Sequence, residues 1–216
     1  MHSRRGGPPW HAIAVGEGGC GRPAVHMAIL HPLRRASMRL PGYDYSRPGA
    51  YFVTVCAQSR ACLFGRIAGQ EASVNAAGLM VSLVWKDLPV FYPGVGVDSL
   101  VVMPNHVHGI LLLHGDDRVG SGQPRGVAPT GSGQGDNMIR RMSVGDVVHR
   151  FKTMTTRRYV DGVRQLGWPA FAARLWQRNY YEHAIRNDVD MDRVRRYIEE
   201  NPARWAFDHE NPDSHS

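Results

Sequence analysis

Residues 97 to 113 read VDSLVVMPNHVHGILLL, and the organisation of the chain follows from this stretch. Two runs rich in β-branched and apolar residues, Val97 to Met103 and Val107 to Leu113, flank Pro104-Asn105. Proline and asparagine favour turns, and proline cannot donate to a strand ladder, so the spacing predicts an antiparallel hairpin. On its second strand, positions i and i+2 share a face. His106 and His108 therefore present two imidazoles side by side while Val107 points the opposite way. That is a two-ligand metal site by geometry. The spacing does not choose among zinc, manganese, nickel and iron, and added oxygen ligands would shift preference toward magnesium or manganese.

Working upstream, Ala50 to Cys56 follows the turn-forming Arg47-Pro48-Gly49 and reads as a central strand. A second short strand is predicted over Cys62 to Ile67. Asn75 then caps a helix from about Ala76 to Phe91, with Leu79, Leu83, Val84 and Leu88 as its apolar side. Pro93-Gly94 ends that helix. Downstream, residues 114–142 form a Gly-rich insertion, with seven glycines between His114 and Asn137 and no apolar period. Ser143 with Asp146 three residues on predicts a capped helix to about Val160. Val147, Val148, Phe151, Met154 and Tyr159 supply its apolar side, and Arg150, Lys152, Arg157 and Arg158 the opposite one. A last strand over Tyr180 to Arg186 and a last helix over Asp188 to Asn201 complete the pattern. Strands interleaved with three helices predict an α+β sandwich: an antiparallel sheet with helices packed on one face.

Length and composition fit one domain. The 216 residues leave little room for two full cores, and 43% hydrophobic content is ordinary for a globular chain. Residues 1–37 have no apolar period and read as a disordered extension, or as sequence upstream of the true start at Met38. Residues 38–206 form the domain, and residues 207–216 read as a flexible tail. No apolar run is long enough for a membrane span or a secretory leader, so the expectation is a cytoplasmic protein without a membrane partner. Cys20, Cys56 and Cys62 form neither a paired framework nor a zinc-ribbon spacing. The formal charge is +7, of which five Arg against Glu17 in the first 37 residues supply +4. Residues 138–196 hold thirteen Lys or Arg against six Asp or Glu, a local excess suited to tracking phosphates.

In the last predicted helix Val194, Tyr197, Ile198 and Asn201 fall at i, i+3, i+4 and i+7, so Tyr197 and Asn201 share one face a turn apart. A rim tyrosine and a helix-end asparagine would show the same spacing. Arg193, Arg195 and Arg196 surround Tyr197, either to attract an anionic substrate or as solvated partners of Asp190, Asp192, Glu199 and Glu200.

Several motifs occur together and in a specific order. They are Tyr43-Asp44-Tyr45, Pro48-Gly49-Ala50-Tyr51-Phe52-Val53-Thr54, the block from Val102 to Ile110, Phe151-Lys152, Trp176 to Asn187, and Tyr197-Ile198-Glu199-Glu200-Asn201-Pro202. In this order the chain, from about Arg39 to Trp205, resembles the REP-associated tyrosine transposases, single-tyrosine members of the HUH group. The resemblance implies a ferredoxin-like α+β domain in which His106 and His108 hold a divalent metal, Mg2+ or Mn2+. It implies that Tyr197 is the catalytic nucleophile, cutting single-stranded DNA at hairpin-associated repeats or transposon ends through a 5′-phosphotyrosine intermediate. Together with the i+4 relation to Tyr197, it favours Asn201 as a further metal ligand, with His183 and Asn105 behind it. Single-stranded or hairpin DNA is the expected partner, bound by a monomer or homodimer. Arg150, Lys152, Arg157, Arg158 and Arg178 are the candidate DNA contacts, and Trp176, Tyr180 and Tyr181 either stack on bases or pack in the core. The alternative is a non-catalytic protein that binds hairpin DNA on the same fold.

Overall fold

A computed structural model describes residues 44–115 and 142–215, all of which belong to one compact unit. The expectations for residues 1–37 and for nearly all of the Gly-rich insertion fall outside the described residues. The order is β1 (Gly49–Cys56), β2 (Gly65–Ala68), β3 (Glu71–Val74), α1 (Ala76–Phe91), β4 (Val95–Val102), β5 (His106–Leu113), α2 (Val144–Leu166), β6 (Tyr181–Ile185) and α3 (Asp188–Glu200). β2 and β3 pair as a separate hairpin. The remaining strands form a four-stranded antiparallel sheet in the order β4-β5-β1-β6. With α1 leading from β1 to β4 and α2 from β5 to β6, this is the split βαβ arrangement of a ferredoxin-like sandwich.

The pleat sorts the residues of β1 and β5. Tyr51, Val53 and Val55 enter a core shared with Val107, Leu111 and the buried sides of α1 and α2. Gly109 belongs to the same side: a Cβ there would lie 2.5 Å from Cζ2 of Trp85 on α1, so only glycine lets the helix sit this close. Trp85 in turn meets Phe151 of α2 edge-on at 5.4 Å. The opposite face of the sheet carries Phe52, Thr54 and Cys56 beside His106 and His108, with Cys56 opposite His106 and Thr54 opposite His108. Helices on one face thus describes α1 and α2, whereas α3 lies over the other face, where Tyr197 touches Phe52 and His108.

Local signals were strongest at the helix starts. Asn75 accepts from the Gly78 N–H, and Ser143 and Asp146 form a reciprocal capping box. Other details differ. Leu79 and Leu83 are 54% and 57% exposed, and the buried side of α1 is Ala77, Gly78, Val81, Val84, Trp85 and Leu88. α1 is apolar nearly all round, so helical spacing alone admits more than one inward stripe. The strand expected over Cys62 to Ile67 begins only at Gly65, because Leu63 and Phe64 anchor α1's start through bonds from Asn75 to their carbonyls. α2 runs on to Leu166, where Gly167 in the left-handed region closes it. After α3, residues 202–207 and 212–215 form 3-10 turns, and Glu210 and Asn211 are buried.

Candidate metal centre and tyrosine

The two imidazoles converge. His106 Nε2 and His108 Nε2 lie 2.9 Å apart, and both rings are buried. Each is oriented from behind. His106 Nδ1 is 2.8 Å from Asn105 Oδ1, and His108 Nδ1 is 2.8 Å from Thr54 Oγ1. The Asn105 amide nitrogen donates to the carbonyls of Arg60 and Glu210, which leaves its oxygen as the acceptor for a His106 Nδ1–H and bares the Nε2 lone pair. Thr54 can donate or accept, so either tautomer of His108 is served. Burial pushes the pKa of His106 well below its usual value, with the neighbouring His108 acting the same way. Burial also takes His108 down to about 3. Both rings are therefore neutral at ordinary pH, the form that ligates metal.

A carboxylate reaches the pair from the C-terminal segment. Asp208 Oδ2 lies 3.8 Å from His106 Nε2, and His106, His108 and Asp208 each offer one ligand atom within 4.8 Å of the others. With His106 neutral, this approach is not an ion pair. Two converging ring nitrogens and a carboxylate oxygen aimed at one spot suit a divalent cation, and the mixed N/O set suits manganese or zinc as well as magnesium. The segment is fastened beside the site by Arg60, whose guanidinium donates to Glu210 Oε2 at 3.1 Å and meets His209 Nδ1 at 3.0 Å.

Tyr197 sits over this centre. Its ring is 5.3 Å from that of His108 and stands edge-on to Phe52 at 5.8 Å. Burial holds its phenol far above the usual tyrosine pKa. The charge of Asp208 adds to this, and a hydrogen bond from the Asn201 side chain opposes it. Asn201 is 3% exposed, and its Oδ1 is a buried acceptor with no partner among the described residues. An orphaned acceptor beside the phenol is the second feature that fits a cation here.

The other expected ligands are engaged elsewhere. Asn105 supports His106 from behind. His183 Nε2 lies 3.0 Å from Asp190 Oδ2, and together they join β6 to the start of α3. Of the arginines around Tyr197, Arg193 pairs with Asp190 and Arg195 reaches Asp98 at 2.7 Å, while Arg196 is exposed and among the described residues contacts only the Asp192 carbonyl, at 3.4 Å. Asp98 lies in the register shift of β4 between Val97 and Leu100, where a break in the ladder turns it toward α3.

Asp208 was missed because it lies about a hundred positions from the histidines in a segment without helical or strand period. Its only sequence cue is a carboxylate among Trp205, His209 and Glu210. Trp176 is a core residue, stacked on Phe64 at 4.9 Å, with its indole N–H donating to Thr155.

The basic residues of α2 do not share one side. Arg150 and Arg157 face solvent, while Lys152 and Arg158 lie on opposite flanks of the buried side. Arg158 approaches Asp87 of α1 at 3.7 Å. The Lys152 ammonium donates to three successive carbonyls, those of Gln177, Arg178 and Asn179, at 2.8, 3.1 and 3.2 Å. Burial pulls its pKa down to about 8. Its place is as a pin for the loop before β6.

No protein-family model matches the chain. An uncharacterized protein of Haemophilus influenzae is 34% identical over 177 residues, covering 81% of this chain and 91% of that one. The two proteins belong to one family. The family's shared length takes in most of the domain described above. Among solved structures, the fold is similar to that of a REP-associated tyrosine transposase bound to a REP hairpin. That similarity has a TM-score of 0.46 and 21% identity, over 75% of this chain and 71% of that one. It is also similar to a candidate transposase of Deinococcus radiodurans, with a TM-score of 0.40 and 19% identity, over 73% and 92% of the two chains. No helix among the described residues is long and apolar enough to cross a membrane.

Proposed function

We propose that this protein is a transposase-like enzyme that cuts and rejoins single-stranded DNA beside a hairpin, with Tyr197 as nucleophile and a divalent metal, Mg2+ or Mn2+, held by His106 and His108. The observation that carries this reading is the seating of the Tyr197 ring 5.3 Å from the ring of His108, over a pair of neutral, converging imidazoles. The ordered motifs that resemble the HUH transposases point the same way. Asp208 is the third ligand we favour, because it brings charge to the histidine pair, and Asn201 Oδ1 is the remaining acceptor at the site.

When bound, the metal would neutralise phosphate charge and polarise the ester. The chain's own residues supply the rest. His106 and His108 would hold that ion, and Phe52 and His108 confine the tyrosine ring so that its oxygen is presented from one side. The Asn201 amide donates to the phenol oxygen and stabilises charge as the proton leaves, against the burial that otherwise keeps the phenol neutral. The tyrosine oxygen forms a bond to phosphorus and the bond to the 3′ oxygen breaks. That oxygen takes up a proton and the 5′ phosphate stays on Tyr197. The ester is conserved in the exchange, so the 3′ hydroxyl can reverse the step without a nucleotide cofactor.

The test is incubation of the full chain with a labelled hairpin oligonucleotide carrying a single-stranded flank and Mn2+ or Mg2+, followed by denaturing electrophoresis. The expected product is a protein-linked 5′ fragment that is absent with chelator and absent from Tyr197→Phe. An adduct that persists in Tyr197→Phe refutes the nucleophile. Hairpin binding with no adduct under either metal would instead establish the non-catalytic alternative.

A further inference from the structure

A line of unpaired positive charge lies on the face of the sheet opposite the proposed cleavage site. Around Tyr197, Arg193, Arg195 and Arg204 are each paired with a carboxylate, and Arg196 is the exposed exception, with a 3.4 Å contact to the Asp192 carbonyl. On α2 the pattern is reversed. Arg150, Arg157 and Arg164 are exposed and make no hydrogen bond or ion pair among the described residues. They recur at i, i+7 and i+14, so they form one line on the solvent side of a helix whose other side is core. At 1.5 Å rise per residue the line is about 21 Å long. Two carboxylates share that side: Asp146, tied into the capping box, and Asp161, which is exposed.

The line has an outlet toward the site. Lys152, on the flank of α2, turns three successive carbonyls of the loop inward, leaving the side chains of Arg178 and Asn179 exposed on its outer side. The loop feeds directly into β6, an edge strand, at Tyr181. Tyr181 pairs with Thr54, which pairs in turn with His108, so the loop ends in the same cross-strand row as the metal centre.

From this arrangement we infer that the outer side of α2 is a docking track for the backbone of a nucleic-acid duplex. The duplex is held by Arg150, Arg157 and Arg164 behind the sheet, and its single-stranded continuation passes the Lys152-pinned loop to reach the front. The inference rests on the reading proposed above and assigns the stem and the flank to different faces. A line of about 21 Å matches about six base pairs at 3.4 Å each.

The probes are a DNA hairpin with a stem of about that length and a single-stranded 5′ flank, and the flank alone. Binding is read by fluorescence anisotropy across a salt series, with far-UV circular dichroism to verify folding. Each phosphate neutralised in duplex DNA contributes about 0.9 to the slope of log K against log salt. Arg157→Ala is expected to lower the hairpin slope by about 0.9 and the triple alanine variant by about 2.7. Lys86→Ala, which removes an exposed charge from α1, leaves it unchanged, and binding of the flank alone keeps its slope in the triple variant. An unchanged hairpin slope, or an equal loss with the flank alone, overturns the inference. A reduced hairpin slope in a protein that forms no covalent adduct keeps the track and removes the nuclease reading. An adduct with unchanged slopes does the reverse.

Discussion

Replacing Gly109 by alanine tests the link between the core and the metal centre. The added Cβ would lie 2.5 Å from Trp85 Cζ2 and 3.0 Å from Cε2 and Cη2, well inside ordinary contact. The obstacle is a rigid ring rather than the end of a flexible chain. Trp85 is itself buried and held edge-on against Phe151, so relief requires movement of α1 or of β5. Overpacking of this kind costs about 1–3 kcal/mol. For a chain of this size that corresponds to a fall in Tm of about 2 to 12 °C. The companion change is Trp85→Phe, which removes the atoms in conflict together with an indole N–H that has no partner among the described residues. Thermal and urea unfolding of the wild type, both single variants and the double variant form a complete cycle. The double variant should be more stable than the sum of the singles predicts, by at least about 1 kcal/mol. If Gly109→Ala is neutral, or the two effects simply add, the close approach of α1 to β5 is wrong. Because His108 precedes Gly109 on the same strand, Gly109→Ala should also weaken metal-induced stabilisation.

Other consequences can be measured directly. Mn2+ at a hundred times its dissociation constant should stabilise the protein by about 2.7 kcal/mol in thermal unfolding, an effect lost in His106→Ala and His108→Ala and reduced in Asp208→Asn. Lys152→Met deprives three carbonyls of their donor and should speed hydrogen exchange in residues 177–180 while costing about 1–3 kcal/mol; equal exchange in both proteins would exclude the pin. The Arg195 hydrogen bond pulls the Asp98 carboxyl down to about 2. Its folded value thus lies below its unfolded one, and the associated stability is present above about pH 4 and lost as pH falls from there toward 2. Denaturant unfolding over this range should show a shallower acid decline for Asp98→Asn than for the wild type.

The local periods of the sequence determined a good deal of this protein. Alternation places His106 and His108 on one face and Val107 on the other whatever covers them, and the cap signals at Asn75 and Ser143 determine where two helices begin, because each acts through bonds only three residues long. The i+4 step likewise brings Tyr197 and Asn201 together before any packing is known. Tertiary structure alone decided which side of α1 is buried, since Leu79 and Leu83 satisfy the helical period as well as Val81 and Trp85 do. It also decided that Lys152 serves carbonyls and that Arg195 serves Asp98, because a long cationic side chain takes whichever acceptor the fold brings near. Above all it brought Asp208 to the histidine pair. That contact depends on a C-terminal segment with no period of its own, held by Arg60, Asn105 and the backbone of Glu210, and such placement follows from where polar groups find partners in three dimensions. The His-x-His pair is thus written in the strand, whereas the carboxylate beside it exists only in the folded protein.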